Sequence, residues 1–263
     1  MGALRALLGT QTFSLIALGL FLSAQGAALQ ATPRVLWLLL WIGLMQAVAV
    51  YFFYRAFELG KLSLVAPISS GFAVVTAILA IISGERPSPL ALVGALLLVL
   101  GVLFITSQQR SPDQTEGDRK ASLRGIPEAI IAALLYGFIF WALDLVVPAV
   151  GPIWPLVTMR IITLLCLGAV FLLVRKKHLE PLQEPARKLV FPVMAVSTAE
   201  TLAWLAFNYG TQYGDVAIVT ALSSLYSAIA IFYGAVLWKE RLQRAQWLGV
   251  GLILMGVLLV GIQ

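Results

Sequence analysis

Apolar residues along this chain fall into blocks about 18–25 residues long. That is the length at which a helix rising 1.5 Å per residue crosses a hydrocarbon core about 30 Å thick. The blocks cover residues 8–29, 35–58, 62–83, 88–107, 125–148, 152–174, 188–212, 215–238 and 244–262. Backbone amides and carbonyls have no water to bond inside a bilayer, so each block is predicted to close its hydrogen bonds internally as an α-helix. The expected fold is an all-α, polytopic membrane helix bundle with nine transmembrane helices. Two connections exceed ten residues: the polar, proline-containing stretch 108–124 and the basic loop 175–187, which also holds His178. Neither is long enough to fold as a separate domain.

Composition strengthens this picture. Of 263 residues, 60% are hydrophobic and only 11% are charged, and the mean hydropathy is +0.95. Soluble domains are about 45–50% apolar and about 25% charged, so a water-exposed fold of this size lacks the polar surface it needs. The net charge of +6 is no sign of nucleic-acid binding, because nearly all Lys and Arg lie in loops between apolar blocks. With nine spans, one side carries Arg5, Lys61, the arginines and lysines of 108–124 and 175–187, and Lys188, Lys239, Arg241 and Arg244. The other carries Arg34 and Arg86. Positive charge stays in the cytoplasm, which places the N-terminus and both long loops there and the C-terminus outside. The single cysteine, Cys166, lies within an apolar block, so neither a disulfide framework nor a thiolate metal site is expected.

The chain also repeats itself at an offset of about 154 residues. Gly60, Val65, Ser69 and Ser70 fall on Gly214, Val219, Ser223 and Ser224, and Phe53 falls on Phe207. At an offset of 155, Glu85 and Arg86 fall on Glu240 and Arg241, Gly94 on Gly249, Gly101 on Gly256, and Arg5 on Arg160. The second copy holds five blocks and the first only four, so a helix corresponding to the first of the second copy is expected to be missing ahead of Met1. The division is a first repeat over 1–107, a polar linker over 108–124 and a second repeat over 125–263. Repeats of five helices lie upside down relative to one another in the membrane, an arrangement found in transporters that alternate access to one central site. The opening block, with Arg5 ahead of it and the small residues Ser23 to Ala27 at its end, has features of a cleavable leader. Its counterpart in the second copy argues against that reading.

The ordered set Tyr54-Arg55-Ala56-Phe57-Glu58-Leu59-Gly60, Pro67, Gly84-Glu85-Arg86, Gly94 and Gly101 resembles the EamA branch of the drug/metabolite transporter superfamily over nearly the whole chain. The second copy departs from the pattern, with Ala221 in place of Pro67 and Lys239 near the position of Gly84. The resemblance implies a two-repeat, ten-helix carrier of metabolites or drugs in the plasma (inner) membrane, often an exporter, with a small-molecule solute, lipid and in some cases protons as its partners. It also implies a cytoplasmic C-terminus, against the charge distribution. It names no solute, and oligomeric state is not legible.

Charges inside a membrane segment are costly and usually face a cavity or a partner. Asp144, Arg160 and Glu200 are the three. Asp144 and Arg160 flank a short turn at similar depth, so an ion pair between them is geometrically easy, either as a clamp between helices or with Arg160 holding an anionic solute. Glu200 sits mid-block and aligns with Gln46 of the first copy, matched positions at which an inverted repeat builds its site. It is a candidate coupling or solute-contact group. Trp204 and Asn208 follow Glu200 at four-residue spacing on one helix face, and Tyr51 and Tyr54 follow Gln46. Aromatic walls with a few polar groups suit a small amphipathic ligand, although such rings also serve as packing. Ser69, Ser70, Ser223 and Ser224 suit helix packing, and Pro67 a bend.

No catalytic group, metal site or cofactor is expected. The one histidine lies in a loop, no carboxylates pair at metal-ligand spacing, and no glycine-rich phosphate loop occurs. A membrane enzyme is therefore the weaker reading. A helical subunit or fragment that does not transport explains the hydrophobicity but not the repeat.

Overall fold

The computed structural model describes residues 3–25, 29–60, 62–107, 125–174 and 186–226, with isolated positions 229, 248, 249, 251, 252, 255, 256 and 259 beyond them. Most of the expected block 244–262, residues 227, 228 and 230–238 of the block 215–238, the linker 108–124 and nearly all of the basic loop lie outside the described residues.

Every described element is helical: α1 Ala3–Gln25, α2 Pro33–Leu59, α3 Leu62–Ser69, α4 Phe72–Ile82, α5 Pro89–Ser107, α6 Ile126–Val150, α7 Trp154–Val174, α8 Ala186–Gly210 and α9 Val216–Ser223. Among the described residues, Leu7–Ala24, Pro33–Leu59, Ile126–Val150 and Val190–Gly210 are long and apolar enough to span a bilayer. Their outward surfaces carry large apolar side chains, among them Leu20, Trp37, Trp41, Leu202 and Phe191, the last 80% exposed. Lipid is the solvent that such surfaces fit.

One expected block is divided. Residues 62–83 form two helices, α3 and α4, joined at Ser70 and Gly71. The Ser70 amide still bonds the Ala66 carbonyl, but the Gly71 amide reaches only three residues back, to Ile68. Past α9 the same pattern recurs: the Ser224 amide bonds Thr220, and the Leu225 amide bonds Leu222. Each bond lies 154 residues after its counterpart. Position 221 is alanine where position 67 is proline, so proline alone does not account for the tightened turn.

The chain forms two compact units. The first comprises Met1–Tyr51 and Ala142–Tyr213, and the second Phe52–Trp141 and Gly214–Gln263. In the first, α1 packs on both α7 and α8, around buried Leu7, Leu18, Leu156, Met159 and Phe207. Gly43 of α2 permits a close approach to α7, since a Cβ there would lie 2.4 Å from Ile162 Cδ1. In the second, α9 packs on α4 and α5. Gly137 of α6 lies against α4, where Thr76 Oγ1 donates to its carbonyl at 2.9 Å. A Cβ at Gly137 would fall 2.5 Å from Val75.

The loop between α4 and α5 supplies a cap in the second unit. Glu85 accepts hydrogen bonds from the first amides of α9, Val216 N at 2.5 Å and Ala217 N at 3.3 Å. A helix N-terminus leaves such amides without intrahelical partners and carries partial positive charge, so a carboxylate is well placed there.

Candidate functional site

Polar side chains of the first unit converge on one guanidinium. Arg160 of α7 is 1% exposed, too deep for a lone cation in a membrane segment, and three acceptors surround it. Its Nη1 donates to Gln11 Oε1 at 2.6 Å and to Glu200 Oε1 at 2.9 Å, and its Nε donates to Ser14 Oγ at 3.1 Å. Gln11 and Ser14 lie on α1 and Glu200 on α8, so one side chain ties three helices together.

A hydroxyl ladder extends from this centre. Ser14 Oγ lies 2.7 Å from Thr201 Oγ1. Thr201 donates to the Ser197 carbonyl at 2.7 Å, and Ser197 Oγ donates to the Thr10 carbonyl at 2.7 Å. Ser197, Thr201, Trp204 and Asn208 are buried along one face of α8, while Val196, Leu202 and Tyr209 are exposed on the others. The helix is polar inside and apolar outside, the reverse of a helix in a soluble protein.

The carboxylate that Arg160 takes is Glu200, where the short turn between their helices had suggested Asp144. Asp144 is partly buried on α6 and makes interactions of its own. The Arg160–Glu200 ion pair is possible because α1 packs on α7 and α8 alike. Glu200 is therefore not a lone carboxylate, although its side chain keeps 23% exposure and its buried Oε2 has no hydrogen-bond partner.

Of the other candidates, Gln46 of α2 is fully buried in the first unit, with neither amide atom hydrogen-bonded. It lies one turn from Gly43, on the stretch of α2 that abuts α7. Asn208 donates to the Pro152 carbonyl at 2.7 Å and leaves Oδ1 unpartnered. Trp204 is buried one turn from Glu200. Tyr51 is on the exposed surface of α2. Tyr54 belongs to the second unit, beside Phe53, which also packs edge-on against Phe57 and Tyr136.

Gln11, Ser14, Thr201 and Thr163 escape a reading based on charge alone. The signal for them is modest: Thr10, Gln11, Thr12 and Ser14 crowd one turn of an otherwise apolar block, and Ser197 and Thr201 flank Glu200 at helical spacing. Among the described residues no cluster of three His, Cys, Asp or Glu side chains is placed to hold a metal ion.

A family model described as the EamA-like transporter family matches residues 1–107 and 123–262. A protein of a Sinorhizobium species, described as an uncharacterized transporter in cobO 3'region, is 28% identical over 103 residues, which are 39% of this chain and 72% of that protein. A solved crystal structure is similar in fold, with a TM-score of 0.74 at 16% identity, over 98% of this chain and 88% of its own.

Proposed function

This chain belongs to the EamA-like transporter family and is a multi-pass membrane transporter, and on that premise we propose that it is a secondary carrier exporting a small metabolite or drug across the plasma membrane by alternating access. The observation that carries the reading is the Arg160–Glu200 pair in the first unit, with buried polar atoms around it that the protein leaves unbonded. Polar and ionisable groups at membrane depth are costly to keep, and they mark solute and ion pathways. Glu200, Arg160, Gln46, Trp204 and Asn208 are the proposed solute contacts. Asp144, Tyr51 and Tyr54 are proposed as supporting groups of the pathway.

The proposed motion needs two equivalent halves, 1–107 and 125–263, as an inverted pair within a nine-helix bundle. The matched helices α3 and α9, each eight residues long and each followed by the same tightened turn, support that reading. The excess of Lys and Arg in 108–124 and 175–187 supports a cytoplasmic position for both loops.

Reconstitution in liposomes tests the proposal. A panel of metabolites and drugs is loaded, and efflux is compared between the wild type and Trp204→Ala. Saturable efflux of at least one solute, reduced tenfold or more by the substitution, is expected. No efflux of any solute above protein-free liposomes would leave the chain as a non-transporting membrane subunit.

A further inference from the structure

Five side chains of the first unit bury polar atoms without hydrogen-bond partners: Gln11 Nε2, both amide atoms of Gln46, Thr163 Oγ1, Glu200 Oε2 and Asn208 Oδ1. Buried polar groups are nearly always partnered, because each one left unbonded loses its hydration without return. Gln11 and Glu200 are joined through Arg160. Thr163 lies one turn from Arg160 on α7, and Gln46 one turn from the glycine that abuts Ile162. Gln11, Glu200 and Thr163 thus place orphaned atoms close to Arg160, and these mark hydrogen bonds left for something other than the protein.

The set has a definite character. Gln11 gives its oxygen to Arg160, so its free end donates. Asn208 gives its nitrogen to Pro152, so its free end accepts, as does Glu200 Oε2. Gln46 offers one donor and one acceptor side by side, and the Thr163 hydroxyl serves as either. Trp204, between Glu200 and Asn208 on the same face of α8, adds a flat apolar surface.

Charge narrows the choice further. Arg160 and Glu200 cancel each other at 2.9 Å. A solute of net charge entering beside them brings a charge that this pair does not balance, at a depth where an uncompensated ion is strongly disfavoured. An uncharged solute adds no such cost and satisfies donors and acceptors together.

We propose that this site, on the transporter reading above, selects solutes of zero net charge that present amide or hydroxyl donors and acceptors side by side. It rejects organic cations and anions of the same shape.

Calorimetric binding to the purified chain in nanodiscs tests this with matched triplets in which only the charge changes. One triplet is nicotinamide, the N-methylnicotinamide cation and nicotinate; the other is benzamide, benzamidinium and benzoate. In at least one triplet the neutral member is expected to bind at least tenfold more tightly than both charged members. Binding of a charged member as tight as the neutral one, or no binding by either neutral member, would overturn the proposal. Charge swaps add a readout that a purely structural pair would not move. Glu200→Gln leaves Arg160 unbalanced and should shift preference toward benzoate. Arg160→Gln should shift it toward benzamidinium, and the double variant should restore the neutral preference. Unchanged preference in a folded single variant would also count against it; the wild-type triplets decide the matter if the variants do not fold. Efflux of a charged solute would end this inference and leave the transporter reading standing. Neutral binding without efflux of anything would do the reverse.

Discussion

The ring of Phe72 lies against the ring of Tyr226, with centroids 6.2 Å apart and planes only 7° from parallel. These residues are 154 positions apart and open the two segments that follow the tightened turns after α3 and α9. Under the proposed repeat they are equivalent positions, and equivalent positions touch only beside the axis that relates the two copies. The Tyr226 hydroxyl also donates to the Ala66 carbonyl at 3.1 Å, which already accepts the Ser70 amide.

Tyr226→Phe should keep the stack and lose that bond, costing about 1 kcal/mol. Phe72→Leu should lose the stacking contribution of about 0.5–1.5 kcal/mol, with apolar volume largely retained. Unfolding of the purified protein in a denaturing-detergent titration checks both. A Tyr226→Phe loss equal to that of Tyr226→Ala would mean that the ring itself contributes nothing.

Removing one member of the Arg160–Glu200 pair should cost far more than removing both. Arg160→Met leaves a partly buried carboxylate without its cation; breaking a fully buried pair typically costs about 3–5 kcal/mol, and the 23% exposure of Glu200 puts this loss toward or below the lower end. The double variant Arg160→Met, Glu200→Met should recover most of that loss. The same titration measures it, and an additive double variant would show that the two side chains do not act as a pair.

Gly43→Val should destabilise the first unit by about 1–3 kcal/mol through overpacking, since even a Cβ at that position meets Ile162 at 2.4 Å. Adding Ile162→Ala should return part of the loss. Absence of any rescue would place the strain elsewhere on α2.

Glu85→Ala removes the carboxylate cap of α9 and should cost about 1 kcal/mol. Glu85→Gln, which keeps an acceptor but not the charge, should fall between. Hydrogen exchange at the Val216 and Ala217 amides is the direct measure, and both should exchange faster in the alanine variant. Unaltered exchange there would contradict the capping role.

Legibility in the sequence differs from element to element. The helices α2, α5, α6 and α7 match their apolar blocks to within a few residues at each end, because hydropathy is what the bilayer reads. A bend is expected at Pro67, but the break itself falls at Ser70 and Gly71, which sit comfortably in a continuous apolar block, and the turn tightens by one hydrogen bond only. Arg160 and Glu200 stood out as charges in the wrong solvent, whereas Gln11 and Thr163, polar but uncharged, did not.

The sequence by itself determined that this chain is helical, that it spans a membrane several times, which family it belongs to, and which few residues are too polar for their surroundings. A hydrocarbon layer admits little else, and length and hydropathy report on it directly. Only the tertiary structure decided that Arg160 pairs with Glu200, that Gln11 and Ser14 complete its shell, and that Gln11 and Glu200 keep unpartnered atoms beside that pair. Each residue turns a helix by about 100°, so the face a side chain presents depends on how the helices rotate and slide against one another. Packing at contacts such as Gly43 against Ile162 settles that rotation, and those contacts join residues far apart in the chain.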